Sequence, residues 1–370
     1  MAYTTIDDPS AHFQTALWTG DNSFPRTITN DGNSDLQPDW IWVKQRTTST
    51  NHFLYDSSRT FNSNGELASN DGGAEGAFDN NLYGYISAAT SDGFTVSSGT
   101  TNGDDFNQST RQYVAWQWKA NGGTTSSNTS GTITTTVQAN TDAGFSIVTW
   151  TGNGSNATMG HGLGTTPQVI ITKSRTTTND WNVYHRDMHP TAPYNYLLYT
   201  HLTNAATAAT GSWGTSLSDV NSSTFYMKYW INYSSASMLA YCFAEKQGFS
   251  KFGKYTGNGS SNGPFVYTGF RPAFVMLKVT NLNGWDWAII DNKRTPSNGD
   301  GLSEWLWANL SGAEFTDGDS GINLEMDFLS NGFKCKTDRG EINGSGYEFI
   351  YMAFAENPFV TSTGIPTTAR

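Results

Sequence analysis

One short strand is written three times in this chain, as Pro38-Asp39-Trp40-Ile41-Trp42-Val43-Lys44, Pro167-Gln168-Val169-Ile170-Ile171-Thr172-Lys173 and Pro272-Ala273-Phe274-Val275-Met276-Leu277-Lys278. Each copy opens with a proline, which fixes φ and lacks an N–H, and runs through β-branched and aromatic residues to a lysine. Upstream of each lies a second repeated phrase, Trp18-Thr19-Gly20-Asp21-Asn22, Trp150-Thr151-Gly152-Asn153-Gly154 and Tyr255-Thr256-Gly257-Asn258-Gly259, which reads as a strand end entering a turn. Pro167 follows Thr151 by 16 residues and Pro272 follows Thr256 by 16, whereas Pro38 follows Thr19 by 19. The chain is therefore three copies of one β unit, the first carrying an insertion.

The closing phrase repeats as well. Tyr113-Val114-Ala115-Trp116-Gln117-Trp118 in the first unit matches Met238-Leu239-Ala240-Tyr241-Cys242-Phe243 in the second and Ile350-Tyr351-Met352-Ala353-Phe354 in the third, with Tyr241 and Phe243 at the positions of Trp116 and Trp118. One wet and one dry face are expected of this strand. Many short strands between Gly/Asn/Asp turns, with almost no helical period, predict an all-β fold of three tandem β-sandwich domains, jelly-roll and lectin-like, joined as beads on a short string. The expected boundaries are a first repeat at 1–123, a linker and edge strand at 124–143, repeats at 144–247 and 248–358, and an extended tail at 359–370. Gly248-Phe249 follows the second unit without a linker, so that junction should be stiff. The Gly/Asn/Ser/Asp-rich stretch from Asn62 to Asn81 is expected to be a long exposed loop, where binding usually sits.

Composition narrows the function classes. Charged residues are 14% of the 370, against a net charge of −11, and no basic run is interleaved with aromatics, so nucleic acid is not an expected partner. No apolar window is long enough to span a membrane, and Met1 to Asp8 lacks the basic and apolar regions of a secretory signal, which argues against membrane insertion and signal-directed export. Cys242 and Cys335 lie in strand-like runs of different repeats, where burial as small apolar side chains is expected over a disulfide.

Candidate sites are few. His185, Asp187 and His189 alternate in His185-Arg186-Asp187-Met188-His189 and would share one face of an extended segment, where two imidazoles and a carboxylate could ligate zinc. The matching positions elsewhere are Asp56 and Asp291, so no ligand set repeats, and an exposed strand end is the preferred reading. Asp317 and Asp319 form part of a calcium-loop pattern without its final glutamate, which leaves calcium second to a solvated turn and no cofactor expected. The repeated lysines Lys44, Lys173 and Lys278 read as solvated strand ends in preference to contacts for anionic sugars. Aromatic faces stack on sugars, which makes the tryptophans beside loops, Trp181, Trp213, Trp285, Trp287 and Trp305, the carbohydrate-binding candidates, although most tryptophans in such a chain must be core. No nucleophile elbow, zinc-helix motif or paired acid/base couple stands out, so no catalytic residue and no enzyme activity is expected.

Several ordered phrases carry a resemblance: Asp7-Asp8-Pro9-Ser10 with Phe13-Gln14-Thr15, Asn30-Asp31-Gly32 with Leu36-Gln37-Pro38-Asp39, His161-Gly162-Leu163-Gly164, and Phe354-Ala355-Glu356-Asn357-Pro358-Phe359-Val360 with Gly364-Ile365-Pro366. Together they resemble the tandem β-repeat of virion structural and tail fibre proteins of marine, cyanophage-type bacteriophages, over essentially the whole chain. The resemblance implies a virion location, other virion proteins as partners and a homo-oligomer, and it carries no catalytic residues across. It also implies either a tail fibre or tail-associated adhesin that attaches to host surface glycan, or a capsid or tail decoration protein with no receptor role. The chain has no heptad shaft or collagen-like run, which points to a compact module in place of a stalk.

Overall fold

The computed structural model describes residues 2–298, 303–316 and 324–367. Each repeat builds a main antiparallel sheet whose closing strand lies between the opening strand and the proline strand. The order in the first is Phe13–Thr19, Gln112–Trp118, Trp40–Gln45, Phe53–Asp56 and Leu67–Ala68. In the second, Phe145–Thr151, Ser237–Phe243, Val169–Ser174, Asn182–His185 and Tyr196–Tyr199 follow one another, and in the third Ser250–Thr256, Glu348–Pro358, Phe270–Val279, Ala288–Asp291 and Glu304–Trp307. The registers coincide: Trp118 pairs with Phe13 and Trp40, Phe243 with Phe145 and Val169, and Phe354 with Ser250 and Phe274.

A smaller sheet accompanies each main sheet, made by Arg26–Thr29, Gly93–Ser97 and Tyr85–Thr90 in the first repeat, Ala157–Gly160 and Thr224–Met227 in the second, and Phe265–Tyr267, Gly332–Cys335 and Met326–Leu329 in the third. Ile41, Val43, Tyr55 and Ala115 pack on Ile28, Ile86, Phe94 and Val96 in the first repeat, and Val275, Leu277 and Ala353 pack on Val266, Phe328 and Phe333 in the third. The fold is all-β, in the β-sandwich class.

The repeats are not beads on a string. The face of each main sheet turned away from its small sheet enters one shared core, because the closing strands put bulky aromatics there. Trp118, Phe243 and Phe354, at equivalent positions, form a triangle with ring centroids 6.5, 5.5 and 5.8 Å apart. Trp40 stacks on Tyr241 of the second repeat at 4.3 Å, and Phe13 on Phe354 of the third at 5.3 Å. Both faces of the closing strand are therefore dry, Trp116 and Trp118 facing the shared core while Tyr113 and Ala115 face the sandwich. This explains why the proline strands read as almost unbroken apolar runs, as strands buried on both faces do.

The repeated turn phrase has a structural cause. At Gly20, Gly152 and Gly257 a Cβ would meet the carbonyl oxygens of Gln108, Tyr233 and Gly344 at 1.9, 2.1 and 2.2 Å, so only glycine fits. Behind each turn sits a buried asparagine. Asn107 donates to the Asp21 side chain and Ser23 O, Asn232 to Asn153 and Ser155 O, and Asn343 to Asn258 and Ser260 O, all at 2.8–2.9 Å. These six bonds pin each turn to the segment that leads into the closing strand.

Two sequence expectations about the connections are corrected. In the stretch expected to be a linker and edge strand, Thr135–Asn140 pairs with the second opening strand, and the linker half is strand too, Ser126–Asn128 pairing with Thr135–Asn140 at the sheet edge, because an edge strand needs backbone partners more than apolar side chains. The tail is not extended: Val360 bridges to Pro366 and Ser362 donates to Asp7, which ties the described end of the chain to its beginning.

The repeats also touch in a cyclic order through buried polar groups. Trp116 of the first repeat donates to Asp291 of the third at 2.9 Å, and Tyr241 of the second donates to Asp56 of the first at 2.7 Å. Each carboxylate is paired three residues on, with Arg294 and Arg59, both at 2.6 Å and fully buried. At the third such contact the aspartate becomes His185, the arginine Met188 and the donor Met352, so charge and counter-charge are absent together and the His185 ring lies against Tyr351 O of the third repeat instead. A backbone bond recurs at all three, from Glu314 N to Arg46 O, Glu75 N to Arg175 O and Ala206 N to Thr280 O, at 2.7, 2.8 and 2.9 Å.

Removing one partner of a buried ion pair strands the other. Arg59→Met should lower unfolding stability by about 3–5 kcal/mol, measured by urea titration. The double variant Asp56→His with Arg59→Met, which copies the second repeat, should recover part of that loss, and a double variant as unstable as the sum of its singles would refute the equivalence.

Candidate functional site

The structure gathers few of the sequence-predicted site residues. Trp181, Trp213, Trp287 and Trp305 are buried, and their indole N–H groups donate to Ala68 O, Tyr196 O, Tyr199 O and Leu324 O at 2.7, 3.1, 2.8 and 2.6 Å. They cannot offer a face to a sugar, because holding neighbouring chain segments together has taken them out of solvent. Trp181 and Trp287 each reach into the adjacent repeat. Trp285 alone of the five is half-buried, with its ring 5.3 Å from Tyr347.

His185, Asp187 and His189 do not converge on a metal. The buried His185 ring lies with Nε2 3.3 Å from Tyr351 O while Nδ1 accepts from Asp187 N at 3.1 Å, and burial pushes its pKa down to about 4. His189 turns Nδ1 to the N–H groups of Thr191 and Ala192 and stacks on Tyr196 at 4.2 Å. Among the described residues no three His, Cys, Asp or Glu side chains are grouped to hold a metal ion. Asp317 and Asp319 lie outside the described residues. Cys242 and Cys335 are free and buried, and burial pushes the Cys335 thiol up to about 12.

The stretch from Asn62 to Asn81 is an inter-repeat clamp more than an exposed loop. Glu66, Leu67 and Ala68 are buried in it, Glu75 pairs with Arg175 of the second repeat, and Ser69 donates to Ala308 O of the third at 2.7 Å. Its polar composition conceals this because, beside Leu67 in the shared core, the contacts are made by a carboxylate, main-chain carbonyls and a hydroxyl.

The three repeated lysines are likewise not solvated strand ends. Lys44, Lys173 and Lys278 are fully buried and donate to main-chain carbonyls: Lys44 to Gln45 O and Thr48 O at 2.6 and 3.3 Å, Lys173 to Gly72 O and Ser174 O at 3.0 and 2.8 Å, and Lys278 to Trp285 O. Desolvation lowers their pKa values to about 7, 8 and 8 respectively. The lysines tie the end of each proline strand to the turn that follows it, a role that repetition of the residue signalled and its charge disguised.

A cleft of about 220 Å³ is open to solvent at the seam where the first repeat meets the third. The first repeat contributes Asp8, Gln14, Thr15, Asp31 and Asn33, and the third Ala273, Asn292, Lys293, Glu356 and Asn357. The carboxylates are engaged: Asp8 accepts from Ser10 and Ser34, which with its N–H contacts holds its pKa below the ordinary value despite partial burial, Glu356 pairs with Arg271, and Asp31 bridges the mouth to Lys293 at 2.8 Å. Gln14 is locked by Ser10 O, Ser34 O and Gly32 N. The cleft is thus a rigid polar trough with few free charges.

Fold and cleft together define a pseudo-threefold all-β protein with a polar cleft at the seam of its terminal repeats. The chain belongs to the family described as a domain of unknown function, DUF7483, whose model matches residues 8–358 and so takes in all three repeats. No curated protein and no solved structure matches it.

Two outcomes test this assignment of roles. Trp181→Ala should lower stability by about 3–5 kcal/mol in chemical denaturation, as deletion of a buried aromatic does, and a variant as stable as the wild type would return that residue to the surface candidates. For the lysines the folded-state pKa lies below the unfolded value of 10.5, so the unfolded chain binds more protons between pH 8 and 10. Stability should therefore rise from pH 7 toward about pH 9.5, above which tyrosines of the unfolded chain begin to ionise. Lys44→Met should flatten that rise in denaturation midpoints taken at pH 7 and pH 9, and an unchanged slope would disprove the buried titration.

Proposed function

We propose that this is a bacteriophage virion structural protein, a tail fibre or tail-associated adhesin that holds host surface glycan and performs a binding rather than a catalytic task. The observation that carries the reading is the seam cleft, a polar trough set in a body whose three repeats are locked through one core and cannot hinge independently. A rigid scaffold with a preformed polar site suits repeated attachment, since little ordering entropy is lost on binding. The ordered phrases shared with virion tandem β-repeats support the same reading, as does a surface rich in Ser, Thr and Asn.

A second reading has its own observation. Phe265–Tyr267 is an edge strand whose Phe265 and Tyr267 side chains are 44% and 53% exposed, beside Tyr3, which hydrogen-bonds Tyr267 and Gly269. An exposed aromatic edge suits pairing with another virion protein, as a capsid or tail decoration protein would need.

Adsorption of fluorescently labelled protein to susceptible cyanobacterial cells and to resistant mutants tests the first reading. Saturable binding lost in the mutants is expected. Equal binding to both, or none when the protein is clustered, would leave the decoration reading, for which Phe265→Ala with Tyr267→Ala should reduce incorporation into particles.

A further inference from the structure

The three junctions between repeats are built from equivalent positions, and two of them are filled by the protein itself. Between the first and second repeats the buried Asp39 accepts from Ser57 Oγ and from the N–H groups of Ala120, Gly122 and Gly123, at 2.5, 2.7, 2.9 and 2.9 Å. The buried Gln138, on Thr135–Asn140, completes the junction, donating to Ser57 and Ser58 at 3.0 and 2.9 Å and accepting from Asn121 N and Gly123 N. Between the second and third repeats Gln168 stands in the place of Asp39, its Oε1 accepting from Glu245 N at 2.7 Å, and Lys251 pairs with Glu245.

At the seam the corresponding residue is Ala273, and the groups that would be closed over are left facing the cleft. Asn292 and Lys293 hold the places of Ser57 and Ser58, and no glutamine from a preceding strand reaches them. The side-chain amides of Asn33, Asn292 and Asn357 make no hydrogen bond to any described residue, although all three line the cleft. Thr15 lines it too. Its hydroxyl has no partner while the residue is 5% exposed, and the equivalent positions are the apolar Ile147 and Phe252. A buried hydroxyl left unpaired is destabilising, so a site that keeps one in an otherwise apolar position has a use for it.

The chemistry of the lining selects a ligand. The carboxylates, already paired, do not form a cation site, and they disfavour an anion because the only lysine is held by Asp31. Three amides and a hydroxyl, each able to donate and accept, match a neutral ligand with several adjacent hydroxyls. The volume lies below the roughly 300–1,000 Å³ of pockets for drug-sized ligands, which limits the guest to about one ring. We infer that the seam cleft binds a single neutral sugar residue through Asn33, Asn292, Asn357 and Thr15. The inference rests on the host-recognition reading for the source of that sugar.

Methyl glycosides of glucose, galactose, mannose, N-acetylglucosamine and rhamnose, added to the full chain, would test it by saturation-transfer NMR and calorimetry. At least one should bind saturably. Asn292→Ala with Asn357→Ala should weaken it at least tenfold, and Ala273→Gln, which puts into the seam the amide present at the second junction, should abolish it. The thermal midpoint of the asparagine variant should stay near that of the wild type, as expected for half-buried cleft-lining positions, and that of Ala273→Gln, at a residue 9% exposed, is read beside its binding so that lost folding is not taken for a filled cleft. Binding that survives both variants, or the absence of binding by every glycoside in the panel, overturns the inference. The same variants in the cell-adsorption experiment separate it from the broader reading. Undiminished adsorption by variants that still bind sugar would leave host recognition standing without the cleft, whereas sugar binding lost in the variants with no adsorption by the wild type would leave the cleft standing without host recognition.

Discussion

The structure depends on the contact of Trp118, Phe243 and Phe354 around a common axis. Each ring belongs to a closing strand that is hydrogen-bonded on both sides within its own sheet, so each sheet presents its aromatic edge in a fixed place. None of the three could be buried by its own repeat alone. Aromatic pairs add about 0.5–1.5 kcal/mol each beyond their buried area, and the shared core contains many such pairs, so separating one repeat from the other two would expose several at once. That cooperativity is the reason the chain behaves as one body although its sequence is modular.

Polar contacts then distinguish the junctions that the aromatic core makes equivalent. Buried Asp–Arg pairs with a Trp or Tyr donor fix the orientation of the first repeat against the third and of the second against the first. The remaining contact, between the third and second repeats, reaches the same backbone arrangement with His185, Met188 and Met352. The aspartate is missing together with its arginine and its aromatic donor, which is what the cost of an unpaired buried charge demands. Backbone geometry is thus common to all three contacts, while charge belongs to two.

Much of this was legible in the sequence and some was concealed. The repeat, its strands and the equivalence of Trp116 and Trp118 with Tyr241 and Phe243 follow from spacing, since strand registers preserve position. The shared core was not legible, because a strand buried against a second sheet and one buried against another repeat carry the same apolar residues. Lys44, Lys173 and Lys278 misled for the opposite reason: a lysine reads as solvent-facing, yet an ammonium surrounded by main-chain carbonyls can be placed in the interior. The buried Asn107, Asn232 and Asn343 recur too, but asparagine is so common in the turns of this chain that nothing in the sequence sets these three apart. Much of the cleft's lining lies in the phrases that carry the resemblance, Asp8, Phe13-Gln14-Thr15, Asp31-Gly32 and Glu356-Asn357, yet none of them reads as a site, because the cleft is assembled from segments at opposite ends of the chain.

The replacement of Asp39 and Gln168 by Ala273 has a consequence for valency. A ring of three identical chains would carry the same junction three times, open or closed together. Linking the repeats in one chain frees each junction to differ, and here two are closed and one is open. A single molecule therefore displays one open junction, facing one direction, and any multivalent grip through it must come from the number of chains arrayed side by side and not from the threefold form of each.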